Sequence, residues 1–268
     1  MPKSQRLARI ALILSLLLPV WFLVAALGSK LGLWDWRTGL GTMTFMMGPF
    51  LLGGVTLLGI IALIWCALKP PRKGWAIALS ALVVPALMLV TGYGMSQRGA
   101  ANPIHDVSTD AIDPPTFTDE LVAFREQNEL NPIRDYGVTL RESGPWGQGR
   151  PSDVADETHR SLVPRLYPDL EPIVTQNSLS TALAAAQAAM IDAGYKDVVS
   201  EPQDGRVQGY DETFWYGFKD DVVARVRETE AGTVIDFRSV SRVGLSDLGK
   251  NADRIRELRA ATVAKLGA

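Results

Sequence analysis

Three stretches without a single charge constrain this chain before anything else does. Residues 10–27, 43–68 and 75–93 supply runs of 18, 26 and 19 apolar or uncharged residues. A helix rises about 1.5 Å per residue, so about 20 residues cross the hydrocarbon core of a bilayer. All three runs are therefore expected to be transmembrane helices. Trp21, Trp34, Trp36, Trp65, Trp75 and Tyr93 lie mostly near their ends, where amphipathic rings favour the membrane interface.

The basic residues set an orientation. Lys3, Arg6 and Arg9 precede the first run, and Lys69, Arg72 and Lys73 crowd the loop between the second and third. The opposite side has only Lys30, Arg37 and Arg98. Positive-inside bias predicts a cytoplasmic N-terminus in a bacterial inner membrane, with everything after the third helix periplasmic. The first run also has the basic start and the small residues Ala25, Ala26 and Gly28 of a signal peptide. Cleavage there would leave the other two helices in the same orientation. With no ionisable residue inside any run, a transporter or proton relay is disfavoured. Pro19 and Pro85 predict kinks, and Gly53-Gly54 predicts a close helix contact.

The near-zero net charge conceals a division. Residues 1–100 carry +8, and residues 101–268 carry −10. An acidic second half lacks the basic face that phosphate binding requires, which excludes nucleic acid as a partner. Cys66 is the only cysteine and lies within an apolar run, so neither a disulfide nor thiol chemistry is expected.

The anchor is bounded at residues 1–95. Residues 96–116 are rich in Asn, Asp, Ser and Pro and predict an extended tether lying back on the domain. Residues 117–268 then predict an α+β domain. Thr118 caps a short helix whose apolar face is Leu121, Val122 and Phe124. Residues 131–164 show no period and are expected to be irregular. Ile173 and Val174 predict a short strand, and Asn177 or Ser178 caps a helix to Ala193 with the stripe Leu179, Leu183, Ala186, Met190 and Ala193. Gly194 ends it.

Four strands are expected next, at 195–200, 206–218, 222–228 and 233–240. Asp204-Gly205 reads as a hairpin turn and Lys219-Asp220-Asp221 as another. Placing the apolar faces together pairs Val226 with Ile235 and Ala224 with Phe237, and sets Arg225 opposite Asp236. Ser246 caps a last helix to Leu266, with Asp247 at its positive end and Leu248, Ala252, Ile255, Leu258 and Thr262 facing inward. The order β-α-β-β-β-β-α describes an antiparallel, helix-grip-like sheet packed against helices.

The runs GFKDDVVARVR at 217–227, DFRSVSRVGLSDLGKNADRIR at 236–256, IHDVSTD at 104–110 and YPDLEP at 167–172 closely resemble the domain of unknown function numbered 1499. The resemblance covers residues 103–266. It implies a domain boundary, often preceded by apolar helices as here, and no activity.

Several polar groups are candidate sites. His105 with Asp106, Ser108, Thr109 and Asp110 has the ligand types of a metal or acid–base cluster, yet lacks the spaced further ligands of one. A structural turn is the favoured reading, and no metal or cofactor is expected. Lys219, Asp220 and Asp221 are expected in a tight turn, with the two carboxylates bonding backbone amides. With Arg225, Arg238, Ser239, Ser241, Arg242 and Asp247 they offer a polar patch suited to an anionic headgroup or carboxylate. The arginines are equally well satisfied by Asp236, Asp220 and Asp247. Ser241 or Ser246 has no evident histidine partner, since His159 lies in the irregular stretch. Phe214, Trp215, Tyr216 and Phe218 are expected in the core and edge of the long strand.

Three functions are compatible with this reading. The first is a membrane-tethered domain binding an envelope partner without catalysis. The second is a carrier for lipid or another hydrophobic ligand in a helix–sheet cavity. The third is an enzyme using the His105/Asp106 loop and the arginine patch.

Overall fold

The computed structural model describes residues 1–145, 148, 150 and 152–267. Trp146, Gly147, Gly149 and Pro151, in the stretch expected to be irregular, lie outside the described residues, as does Ala268. The chain divides into two compact units, one of Met1–Gln97 with Thr213–Gly217, the other of Arg98–Glu212 and Phe218–Ala268.

The first unit contains α1 (Lys3–Lys30), a wide-turned helical stretch Arg37–Met47 running into α2 (Gly48–Leu68), α3 (Trp75–Ser80) and the start of α4 (Val83–Ala101). Counted through their breaks, three helices are long and apolar enough to cross a membrane, at Lys3–Lys30, Arg37–Leu68 and Trp75–Ala101. Each outlasts its uncharged run. Pro19 sits inside α1, and Pro85 lies in the first turn of α4, just past the break.

Small residues centre the helix contacts, since they let backbones approach closely. Ala8, Ala11, Ala62, Cys66, Ala78 and Ala81 form one buried cluster. The expected contact at Gly53-Gly54 is absent, since a side chain at either would meet nothing within 4 Å. Close approaches are made instead at Gly28, against Trp34, at Gly39, against Ser29, at Gly59, against Leu82, and at Gly48, against Phe22.

The second unit holds β1 (Asp106–Ser108), α5 (Asp119–Gln127), α6 (Ser152–Ala155), α7 (His159–Leu166), β2 (Ile173–Thr175), α8 (Leu179–Asp192), β3 (Lys196–Glu201), β4 (Arg206–Glu212), β5 (Lys219–Thr229), β6 (Gly232–Ser241) and α9 (Lys250–Leu266). The strands form one antiparallel sheet in the order β1-β6-β5-β4-β3, with β2 sharing the β6 edge beside β1. The fold is α+β, and the register on β5 and β6 is the expected one: Val226 faces Ile235, Arg225 faces Asp236 and Ala224 faces Phe237.

Alternation then divides the sheet into two buried faces. On one, Val222, Ala224, Val226, Ile235 and Phe237 pack under Leu183, Ala186 and Met190 of α8 and Ala252, Ile255 and Leu258 of α9. On the other, Val223 and Val240 pack under Phe117, with Leu121 and Val122 of α5 alongside. Thr118 caps α5 by accepting from the Leu121 amide, and Ser178 caps α8 by accepting from Thr181. Such a cap stabilises by about 1 kcal/mol.

The departures from expectation have physical causes. Residues 96–116 complete α4 and then enter the sheet as β1, because the open edge of β6 offers hydrogen bonds the extended chain can use. Residues 131–164 are not wholly irregular, since α6 forms and α7 begins within them. Thr158 and Ser161 close a capping box at the start of α7.

The long strand ends at Glu212 because Tyr216 and Gly217 both take left-handed φ, 61° and 67°, turning the chain back. Lys219, Asp220 and Asp221 are strand residues rather than a turn, because arginines neutralise the two carboxylates there. The β3–β4 connection takes four residues, Pro202 to Gly205, with Gly205 at φ 60°. Finally, α9 begins at Lys250. Ser246 accepts from the Leu248 amide one turn earlier, and Leu248 itself is not buried.

Candidate functional site

The residues marked out by sequence do not converge on one cleft. They fall into four charge clusters, spread over the two faces of the sheet.

Asp106 of β1 and Arg238 of β6 form the first. Asp106 Oδ1 accepts from Arg238 Nε at 2.9 Å and from the Tyr136 hydroxyl at 2.8 Å. Its Oδ2 accepts from Arg238 Nη2 at 2.8 Å and from the Arg134 amide at 3.1 Å. Arg238 also donates to the Pro115 and Arg134 carbonyls and lies 4.9 Å from the Tyr136 ring centre. Burial alone would raise the Asp106 carboxyl, but the charge and hydrogen bonds of Arg238 outweigh it and hold it far below the usual range.

Two buried histidines border this pair. His105 precedes Asp106 on the chain, and His159 at the start of α7 lies 5.2 Å from the Tyr136 ring. Burial pushes His105 down to about 3 and His159 down to about 4, so both are neutral at pH 7. Neither nitrogen of His159 has a hydrogen-bond partner among the described residues.

Asp221 anchors the second cluster on the same face. Arg125 of α5, almost wholly buried, bonds its Oδ2, and Arg242 reaches both oxygens at 2.7–3.1 Å. Arg125 also donates to the Asn131 and Ser241 carbonyls. Arg242 lies against the Phe124 and Tyr210 rings, and Lys219 lies 5.1 Å from the Tyr210 ring. The third cluster, farther along this face, sets Arg225 and Arg227 around the buried Asp236, with Asp110 and Asp113 closing over them. Phe124, expected inward on α5, is exposed.

The fourth cluster lies on the helix-covered face beneath the start of α9. Arg254 donates to Asp211, Asp220, Ser239 Oγ and the side-chain Oδ1 of Asn251. Asn251 in turn donates to the His105 carbonyl and to Ser241 Oγ. Asp247 accepts from the Gly249 and Asn251 amides, and burial pushes its carboxyl up to about 6. Among the described residues, neither the Ser241 nor the Ser246 hydroxyl bonds a histidine side chain: Ser241 Oγ accepts from Asn251, and Ser246 Oγ donates to the Asn102 carbonyl. Among the described residues, no three His, Cys, Asp or Glu are arranged to hold a metal ion.

Sequence reasoning missed Arg125, Tyr136, Asn251 and Arg254. Arg254 and Asn251 had a signal: they stand three apart on α9, each adjacent in sequence to an inward residue, Ile255 or Ala252. Arg125 follows Leu121 by four on α5, and so shares the face that packs on the sheet.

These clusters lie within a wider match. The family profile described as "Protein of unknown function (DUF1499)" matches residues 106–262. The chain belongs to that family. A comparison with curated proteins gives no match. The family's domain opens at Asp106, so the buried Asp106–Arg238 pair falls wholly within it, while the three apolar helices precede it.

Proposed function

We propose that the protein is a membrane-anchored binding module. Its three helices sit in the bacterial inner membrane with the N-terminus cytoplasmic, and its α+β domain engages an envelope protein in the periplasm without chemistry of its own. The orientation is supported by six basic residues on one side of the helices against three on the other. The observation that carries the rest is the saturation of the charges. A catalytic site keeps a base, nucleophile or arginine ready for substrate. Here Asp106 accepts four hydrogen bonds, and Asp221 and Asp236 each accept from two arginines.

Attachment then falls to the surface. Val174 on β2 and Val199 on β3 are exposed at opposite edges of the sheet, where an extended segment adds most readily. Photo-crosslinking residues at Val174 and Val199 in living cells test this, with the exposed helical Val263 as control. A discrete protein adduct at one edge and none at Val263 is expected. Fusions at the C-terminus test the orientation. Alkaline phosphatase should be active there and green fluorescent protein dark, and the reverse pattern defeats the placement.

A second reading, a carrier of lipid or another hydrophobic ligand, has one observation in its favour. A groove of about 500 Å³ is lined by Ala189, Ala193 and Tyr195 on one side and Leu258 and Ala261 on the other. Lipid co-purifying with the protein, together with silent crosslinkers at both edges, would favour it.

A further inference from the structure

The unit that contains the apolar helices also takes in five residues from far along the chain, Thr213–Gly217. They form the connection between β4 and β5, and their sequence, Thr-Phe-Trp-Tyr-Gly, is unusual for a hairpin tip. Such tips favour Gly, Asn, Asp and Ser. Here three large rings follow one another, and two face outward. Phe214 is 67% exposed and Trp215 52%. Their rings meet edge to face, with centres 4.8 Å apart. Two apolar rings left in water at a turn stabilise nothing there, so they call for a partner that covers them.

The tip is fastened, which fixes where those rings are. Tyr216 takes a φ of 61°, a conformation bulky side chains rarely adopt. Its hydroxyl is 2.6 Å from Thr44 Oγ1, and Lys30 Nζ donates to the Thr213 carbonyl at 3.0 Å. Thr213 Oγ1 donates to the Trp215 carbonyl at 2.8 Å, tying the turn to itself. Lys30 ends α1, and Thr44 stands one residue inside the second uncharged run. The tip therefore lies where the helices leave their apolar stretch.

That end of the unit has the features of a membrane interface. Trp34 folds back to donate its indole N–H to the Ala25 carbonyl, and Arg37 lies 5.0 Å from the Trp36 ring centre. Leu31, Leu33 and Phe45 are exposed there as well. Indole and phenol rings partition to the headgroup boundary because one part is apolar and another hydrogen-bonds.

We propose that Phe214 and Trp215 enter the lipid bilayer at the boundary between headgroups and acyl chains, making the β4–β5 tip a second membrane attachment besides the helices. This rests on reading the three helices as membrane spans, and the experiment separates the two. In full-length protein carrying Cys66→Ala, a single cysteine is placed by Trp215→Cys, Leu57→Cys or Glu230→Cys. Each is labelled with the fluorophore NBD and reconstituted in phosphatidylcholine–phosphatidylglycerol vesicles. Leu57 is exposed on the middle of α2, and Glu230 is exposed in the β5–β6 turn.

The label at 215 should be quenched several-fold more by lipid nitroxides at the fifth acyl carbon than by aqueous iodide. The label at 230 should show the opposite preference, and the label at 57 should respond to nitroxides deep in the acyl chain. A label at 215 that follows the one at 230 overturns the tip as a membrane contact, provided the label at 57 is quenched from within the lipid. If neither 57 nor 215 responds to lipid nitroxides, the spans and the tip fall together.

Discussion

Arg225 and Asp236 stand directly opposite each other on β5 and β6, with Arg225 Nη2 3.0 Å from Asp236 Oδ2. Asp236 is fully buried, and Arg227 reaches the same oxygen at 3.3 Å. The two arginines share one carboxylate, so the pair is one link in a network. Asp236→Ala should therefore cost more stability than Arg225→Ala, because it removes the buried carboxylate both guanidiniums share, whereas Arg225→Ala leaves Asp236 paired with Arg227. The double variant should cost less than the sum, with a coupling of about 0.5–3 kcal/mol in denaturant titrations. Additive losses would show that the pair is not energetically real.

The Asp106–Arg238 pair should be the most costly to break from one side. Removing either partner of a buried pair leaves an uncompensated charge and costs about 3–5 kcal/mol. Asp106→Asn and Arg238→Met should each approach that figure in thermal or chemical unfolding. Replacing both, Asp106→Leu with Arg238→Met, should recover much of the loss. A stable Asp106→Asn protein that had lost a cellular function would mark this pair as a working site instead.

Acidification should destabilise the domain between about pH 6.5 and pH 4. His105 and His159 ionise in the folded state only near 3 and 4, whereas in the unfolded chain they do so near 6.5. The unfolded state therefore binds up to two more protons in that window, and stability falls as pH falls. Asp247 works against this. Its folded value near 6 lies above the 3.8 of a carboxyl in the unfolded chain, so the native state gains stability as pH falls through 6. Two histidines against one carboxyl leave a net loss. Unfolding free energies at pH 7, 5.5 and 4.5 should decline, and His159→Gln should flatten the slope by about one proton. A slope unchanged in His159→Gln would show that this residue does not contribute.

Glycine substitutions offer a test of local geometry. Gly205 and Gly194 both have left-handed φ, 60° and 82°. A side chain at Gly205 would come within 2.1 Å of the Val226 carbonyl oxygen, while one at Gly194 meets nothing within 4 Å. Gly194→Ala should cost about 1 kcal/mol from backbone conformation alone. Gly205→Ala should cost clearly more, because the hairpin must shift and weaken the bond from the Val226 amide to the Gly205 carbonyl. Equal melting points for the two variants would contradict the turn.

Much of the fold was legible because its rules are local. Uncharged runs gave the helices, alternation gave the faces of β5 and β6, and Thr118 and Ser178 gave two caps. What escaped depended on distant partners. Asp220 and Asp221 read as turn residues until Arg254, Arg125 and Arg242 arrive from other elements to neutralise them. Phe214 and Trp215 read as strand by propensity, and nothing local announces that Tyr216 and Gly217 reverse the chain. Alternation divides the candidate residues of β5 and β6 between the two faces, but their partners on β1 and α5 arrive by pairing and packing that no periodicity reveals.

Strand β1 has a further consequence, for the order in which the protein can be made. Its three residues bond to β6, and Asp106 meets Arg238 across 132 positions of sequence. No earlier strand supplies that partner. During synthesis the segment after α4 must wait, with its carboxylate solvated, until β6 has emerged. Contacts of such long separation fold slowly. The domain therefore matures only after β6 has been made, and a chain that stops before β6 leaves β1 without a sheet to join.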